Sequence, residues 1–201
     1  MKMAIADGLL KSISYSKYRE KVTHLLSDGK STGTQQSEEL SKYSSLNEVR
    51  MDRLDKKMVI AEEYIQSLLT LRKKYTWLVI SEGWCGDAAQ LLPIFNKMAL
   101  LSEHIELKIV LRDEHEKLME MFLTNGSKSI PKLIIIEKET GEVLGDFGPR
   151  PKGAADLIKS YKQQYGAIDE TAKTELQLWY LHDKGLSTQK ELVEKMLKID
   201  S

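Results

Sequence analysis

The sequence predicts an α/β protein, a β-α-β-α-β-β-α core with added N- and C-terminal helices. Three observations predict it. Trp77-Leu78-Val79-Ile80 and Leu133-Ile134-Ile135-Ile136 are short continuous apolar runs, the pattern of strands buried on both faces. Segments with apolar residues at helical spacing separate and follow them, as in Leu91, Leu92, Phe95, Met98 and Leu101. Glu139-Thr140-Gly141 is a turn that brings Val143 to Phe147 back as an antiparallel partner of the second run.

Taken in order, residues 1–46 form an N-terminal helical and loop extension. Tyr15, Tyr18, Val22, Leu25 and Leu26 sit near helical spacing, and Ser27 to Ser37, rich in Gly, Ser, Thr and Gln, reads as a loop. Residues 47–166 form the core domain. Its first part, Asn47 to Lys74, is one long amphipathic pattern carrying Met51, Leu54, Met58, Ile65, Leu68 and Leu71. After the first strand comes the turn Gly83-Trp84-Cys85-Gly86 and a helix. Ile105 to Leu111 is rich in β-formers. Asp113 and Glu116 resemble a capping box for a helix bearing Leu118, Met121 and Phe122, with Asn125-Gly126 as its stop. Ala154 to Tyr165 closes the domain as a helix. Residues 167–201 add two helices: Asp169 caps the first, Lys184-Gly185 ends it, and Thr188 with Glu191 opens the second.

Composition narrows the function. Thirty basic residues balance thirty acidic ones, which disfavours nucleic-acid backbones and anionic membranes as partners, since both demand a basic excess. No apolar run nears the roughly 20 residues that span a bilayer, and Asp7 interrupts the N-terminal apolar patch where a signal peptide would need its core. The single cysteine, Cys85, excludes an internal disulfide and a multi-cysteine zinc site, and suits a reducing compartment. A cytoplasmic protein is the expectation. His24, His104, His115 and His182 are scattered without metal-ligand spacing, and His115 reads as a solvated helix residue. Gly141, Gly145 and Gly148 do not form a phosphate-binding loop. No metal or cofactor is expected.

Cys85 is the position chemistry would choose. It follows a buried strand and opens a helix, where free N–H groups and the helix dipole favour a thiolate. Asp87, within the same turn, acts the other way by disfavouring a second anion. The sign of the net shift stays open at this point, as does the plain alternative of a buried, inert cysteine. Arg150, held between Pro149 and Pro151, either binds a carboxylate, as of a low-molecular-weight thiol, or clamps Asp113 or Asp146 structurally. Trp179 and Tyr180 read as packing anchors.

At these residues the chain resembles the thioredoxin superfamily. Trp84-Cys85-Gly86-Asp87-Ala88 occupies the place of that family's Trp-Cys-Gly-Pro-Cys turn, and Ser129-Ile130-Pro131 the place of its cis-proline. The fuller set is Trp84 to Gln90 with Pro93, Arg112-Asp113-Glu114, Asn125-Gly126, Ser129-Ile130-Pro131 and Gly148 to Pro151. Over roughly Asn47 to Tyr165 it is similar to a bacterial thioredoxin-like family with a single active-site cysteine. The resemblance implies a thioredoxin-like fold and a groove between Trp84, Cys85, Gly86, Asp87 and Ala88 on one side and Ile130 and Pro131 on the other. Ile130 would pair there with an extended peptide.

Three departures qualify the activity. Ala88 stands where the resolving cysteine would be, so a mixed disulfide on Cys85 has no internal release. Val79 stands where thioredoxins bury a carboxylate, and Asp87 replaces their proline. Ordinary dithiol chemistry is excluded. Three functions remain. The first is a monothiol thiol-disulfide oxidoreductase in cell redox homeostasis, similar to monothiol glutaredoxins, acting on a protein or peptide thiol or disulfide. The second is a non-catalytic module binding a peptide or protein. The third is a redox sensor oxidised at Cys85.

Overall fold

The computed structural model describes residues 2–201. Helices α1 (Lys2–Lys11), α2 (Tyr15–Ser27), α3 (Glu38–Lys57) and α4 (Glu62–Leu69) precede β1 (Tyr75–Ser81). Then follow α5 (Gly86–Leu100), β2 (Ile105–Leu111), the single turn α6 (Glu116–Met119), β3 (Lys132–Glu137), β4 (Val143–Phe147) and α7 (Lys152–Tyr165). The chain ends with α8 (Glu170–Asp183) and α9 (Leu186–Asp200). The predicted core order is observed. The strands form one mixed sheet in the order β2-β1-β3-β4, with β1 parallel to β2 and antiparallel to β3.

Continuous apolar sequence in β1 and β3 follows from their central positions, where both faces are covered. Every residue of β1 is buried. Trp77 packs edge-on against Phe95 of α5, and its indole N–H points at Met196 of α9, so these helices cover one face. Leu78, on the opposite face, lies against α1 at Gly8, where Leu118 of α6 also meets it. The N-terminal arm guards an edge as well. Ile13 exchanges two backbone hydrogen bonds with Ile109 of the edge strand β2, at 2.9 and 2.8 Å, which blocks further strand addition there. At the other terminus, Asp200 accepts hydrogen bonds from the backbone of Arg72 and Lys73 and from the Tyr75 hydroxyl, tying α9 to the start of β1.

Several sequence-based helix boundaries need correction. The long Asn47–Lys74 pattern is two helices, α3 starting earlier at Glu38 and α4 separate. The break at Met58–Ala61 is held by the buried Gln189 amide, which accepts from Ala61 N and donates to Val59 O, so a tertiary partner replaces the helical bonds. The extension likewise contains two helices with a β-bridge between them. Asp113 does not cap α6. His115 occupies the N-cap without a side-chain bond, and it is buried against the Leu111 carbonyl rather than solvated. Asn125 and Gly126, both at positive φ, form the two central residues of a tight turn between Thr124 and Ser127, beyond the end of that helix. Thr188 lies inside α9 and is no cap, while Glu191 accepts the backbone N–H of Lys152 at the start of α7.

Candidate functional site

The end of β1 delivers the chain into Ser81, Glu82 and the Gly83–Trp84 turn, and α5 begins immediately after Cys85. Cys85 is the N-cap of α5, and its sulfur accepts the Ala88 N–H at 3.5 Å. The same thiol donates to the Ile130 carbonyl oxygen at 3.3 Å, across from a cis Ile130–Pro131 peptide. The turn and the segment before β3 therefore meet at the sulfur.

Cys85 is 8% exposed. Burial pushes its thiol up to about 12, with the Asp87 charge adding to the shift and the Ala88 and Asp87 N–H groups opposing it. A helix N-terminus ordinarily makes a cysteine acidic. Here desolvation and a neighbouring carboxylate overcome it. A raised folded value means the folded protein holds a proton that the unfolded chain has released. Stability is thus whole below about pH 9 and declines as pH rises toward 12. The decline should reach about 1.4 kcal/mol per pH unit at most. Between pH 9 and 10, where the buried tyrosines contribute equally to both proteins, Cys85→Ser should flatten the decline in urea unfolding relative to the parent protein. An unchanged slope would remove Cys85 as its source.

Asp87 is buried one residue into α5 and accepts three hydrogen bonds. Arg150 gives two, from Nε at 3.0 Å and Nη2 at 2.6 Å, and the Tyr180 hydroxyl gives the third at 2.8 Å. Burial raises the Asp87 carboxyl, while Arg150 and Tyr180 act to hold it ionised. The structural clamp weighed for Arg150 exists, but its acid is Asp87 and not Asp113 or Asp146; Asp146 pairs instead with the buried Lys132. Tyr180 belongs to α8, so the C-terminal extension contributes to this cluster.

Trp84 is half-buried beneath the Arg112 guanidinium, which stands 4.8 Å from its ring centre. Arg112 is held in turn by Asp113, and Asp113 accepts from Thr34 N. Gly33, at φ +90°, brings the N-terminal loop against this cluster; a Cβ there would stand 2.7 Å from Asp113 Oδ2. Thr32 Oγ1 accepts from Gly83 N at 2.7 Å, and Asn47 donates to Gly83 O at 2.9 Å. The loop before α3 is therefore the outer wall of the turn.

Glu82 was not singled out in the sequence. It is fully buried three residues before Cys85; Oε1 accepts from Asp113 N, and Oε2 has no partner among the described residues. Burial raises its carboxyl. The position at Val79 is apolar, and Glu82 is a second buried carboxyl on the segment between β1 and Cys85. Its one sequence signal was an acid at the end of an otherwise apolar strand.

Residues 33–163 match a family model described as thioredoxin. Two solved structures share the fold with TM-scores of 0.55. One is a Pseudomonas aeruginosa protein of unknown function, 18% identical, the likeness covering 93% of this chain and 96% of that one. The other is an HIV epitope-scaffold, 19% identical, with 93% of this chain and 97% of that one covered. No curated protein matches the chain. The structural likeness runs through both helical extensions.

Proposed function

The chain belongs to the thioredoxin family, and on that premise we propose that it is a thioredoxin-fold binding module. It takes an extended peptide or partner chain in the groove between Trp84–Cys85 and Ile130–Pro131. The observation that carries this reading is the state of Cys85, which is sheltered, protonated at neutral pH and bonded to the Ile130 carbonyl. A nucleophile must be a thiolate with access to a disulfide, and neither condition holds in this arrangement. What the site does offer is a half-exposed rim of Trp84, Gly86, Ser129 and Gly148 to Arg150 around the buried Cys85–Ile130 contact. Arg112 stacked on Trp84 makes an aromatic and cationic platform beside it. One cysteine suits the reducing cytosol.

A second reading, a monothiol oxidoreductase, is favoured by one observation: the sulfur already accepts an N–H at the start of α5. There, a Cys85 thiolate would attack a disulfide, expel one thiolate, and await a second thiol to release it.

Alkylation by iodoacetamide separates the two readings. The native protein should react about a hundredfold or more slowly than the urea-unfolded chain at pH 8, as the suppressed thiolate fraction requires. Native reaction as fast as the unfolded chain's would overturn the binding-module reading in favour of the monothiol one.

A further inference from the structure

A concavity apart from the groove residues is lined in part by α5 and shares Tyr180 with the Asp87 cluster. Between the C-terminal half of α3, α5 and the α8–α9 junction is a cavity of 530 Å³, within the range of small-molecule sites. Its floor is Leu54, Met58, Ile94 and Tyr180, and its mouth carries Val59, Leu181 and Leu186, which are 76, 50 and 51% exposed. Three apolar side chains that far in solvent around one opening are more than scattered surface residues.

The charge at this opening is all of one sign. Arg53, Lys57 and Lys184 line it, and no acidic side chain does. The neighbouring acids are committed elsewhere. Asp52 and Asp55 of α3 turn to Arg19, and Asp183 of α8 bonds Ser187 in the first turn of α9. In a chain with zero net charge, three lining cations over a largely carbon-lined cavity form a local positive field that Asp183, beside Lys184 and bonded only to Ser187, offsets in part. We infer that this cavity binds an anionic amphiphile, a small molecule with an apolar body for the Leu54–Ile94 floor and one carboxylate for Arg53, Lys57 and Lys184. This ligand class is independent of what the thiol groove does.

Calorimetric titration with sodium decanoate below its micelle concentration tests the assignment, with decanol and decyltrimethylammonium as neutral and cationic counterparts. Decanoate should bind about tenfold or more tightly than decanol, and the advantage should shrink with added salt. The Arg53→Glu/Lys57→Glu variant, changed only at exposed helix positions, should lose that preference while keeping the native circular dichroism spectrum. If that variant misfolds, Leu181→Asp at the mouth should weaken decanoate by a similar factor. No decanoate binding, equal binding of decanoate and decanol, or a preference that survives both variants would overturn the proposal.

Discussion

Asp87→Ala should be among the most damaging single substitutions in the chain, lowering stability by about 3 kcal/mol. The side chain neutralises Arg150 through two hydrogen bonds and accepts a third from Tyr180 in a buried setting. Removing it leaves a guanidinium largely out of water with no counter-charge and a buried hydroxyl with no acceptor. Arg150 retains some solvent contact, its side chain being 27% exposed, which keeps the loss at the lower end for a broken buried pair. The substitution also removes a charge that raises the thiol, so Cys85 alkylation should accelerate at a fixed pH between 8 and 9. Burial, the larger cause, remains, and the thiol should stay less acidic than a free cysteine. Urea unfolding and alkylation rates read the two effects separately. The double variant Asp87→Ala/Arg150→Met should recover part of the stability, because it removes the orphaned charge. Full stability in the single variant would mean that the pair contributes nothing.

The sheet was legible because its signal is local. Trp77–Ile80 and Leu133–Ile136 are apolar without interruption, and they lie in the two central strands. The break between α3 and α4 was not legible, since what ends the helix is the amide of Gln189, far along the chain. The candidate site divides in the same way. Cys85, Asp87, Ile130 and Pro131 stand out in sequence through motif and turn chemistry, and the structure brings them together with Arg150. Sequence points Arg150 to Asp113 or Asp146, but these are engaged by Arg112 and Lys132, and its acid, Asp87, lies 63 positions away and is reached only through the fold. Tyr180 read as a packing anchor because its hydroxyl meets Asp87 only through the docking of α8. The sign of the Cys85 shift depends on burial, which a helix-start motif does not encode.

Gly148→Ala should destabilise the protein by about 3–5 kcal/mol, the combined cost of backbone strain and forced overlap. Gly148 adopts φ +108°, a conformation L side chains rarely reach. A Cβ built there would stand 2.3 Å from the Pro131 carbonyl oxygen. The obstacle is backbone, at the start of the central strand β3, so it cannot rotate away as a side chain would. Relief requires either that β3 shift away from β4 or that residues 148–150 move outward. The second route carries Arg150 away from Asp87, and the first displaces the Ile130 carbonyl that accepts the Cys85 thiol. The substitution should therefore couple a loss of stability to faster Cys85 alkylation in the native state, although residue 148 does not bond the sulfur. A reduced urea midpoint with alkylation unchanged would confine the damage to β4. An unchanged midpoint would show that the close approach of Gly148 to Pro131 does not constrain the fold.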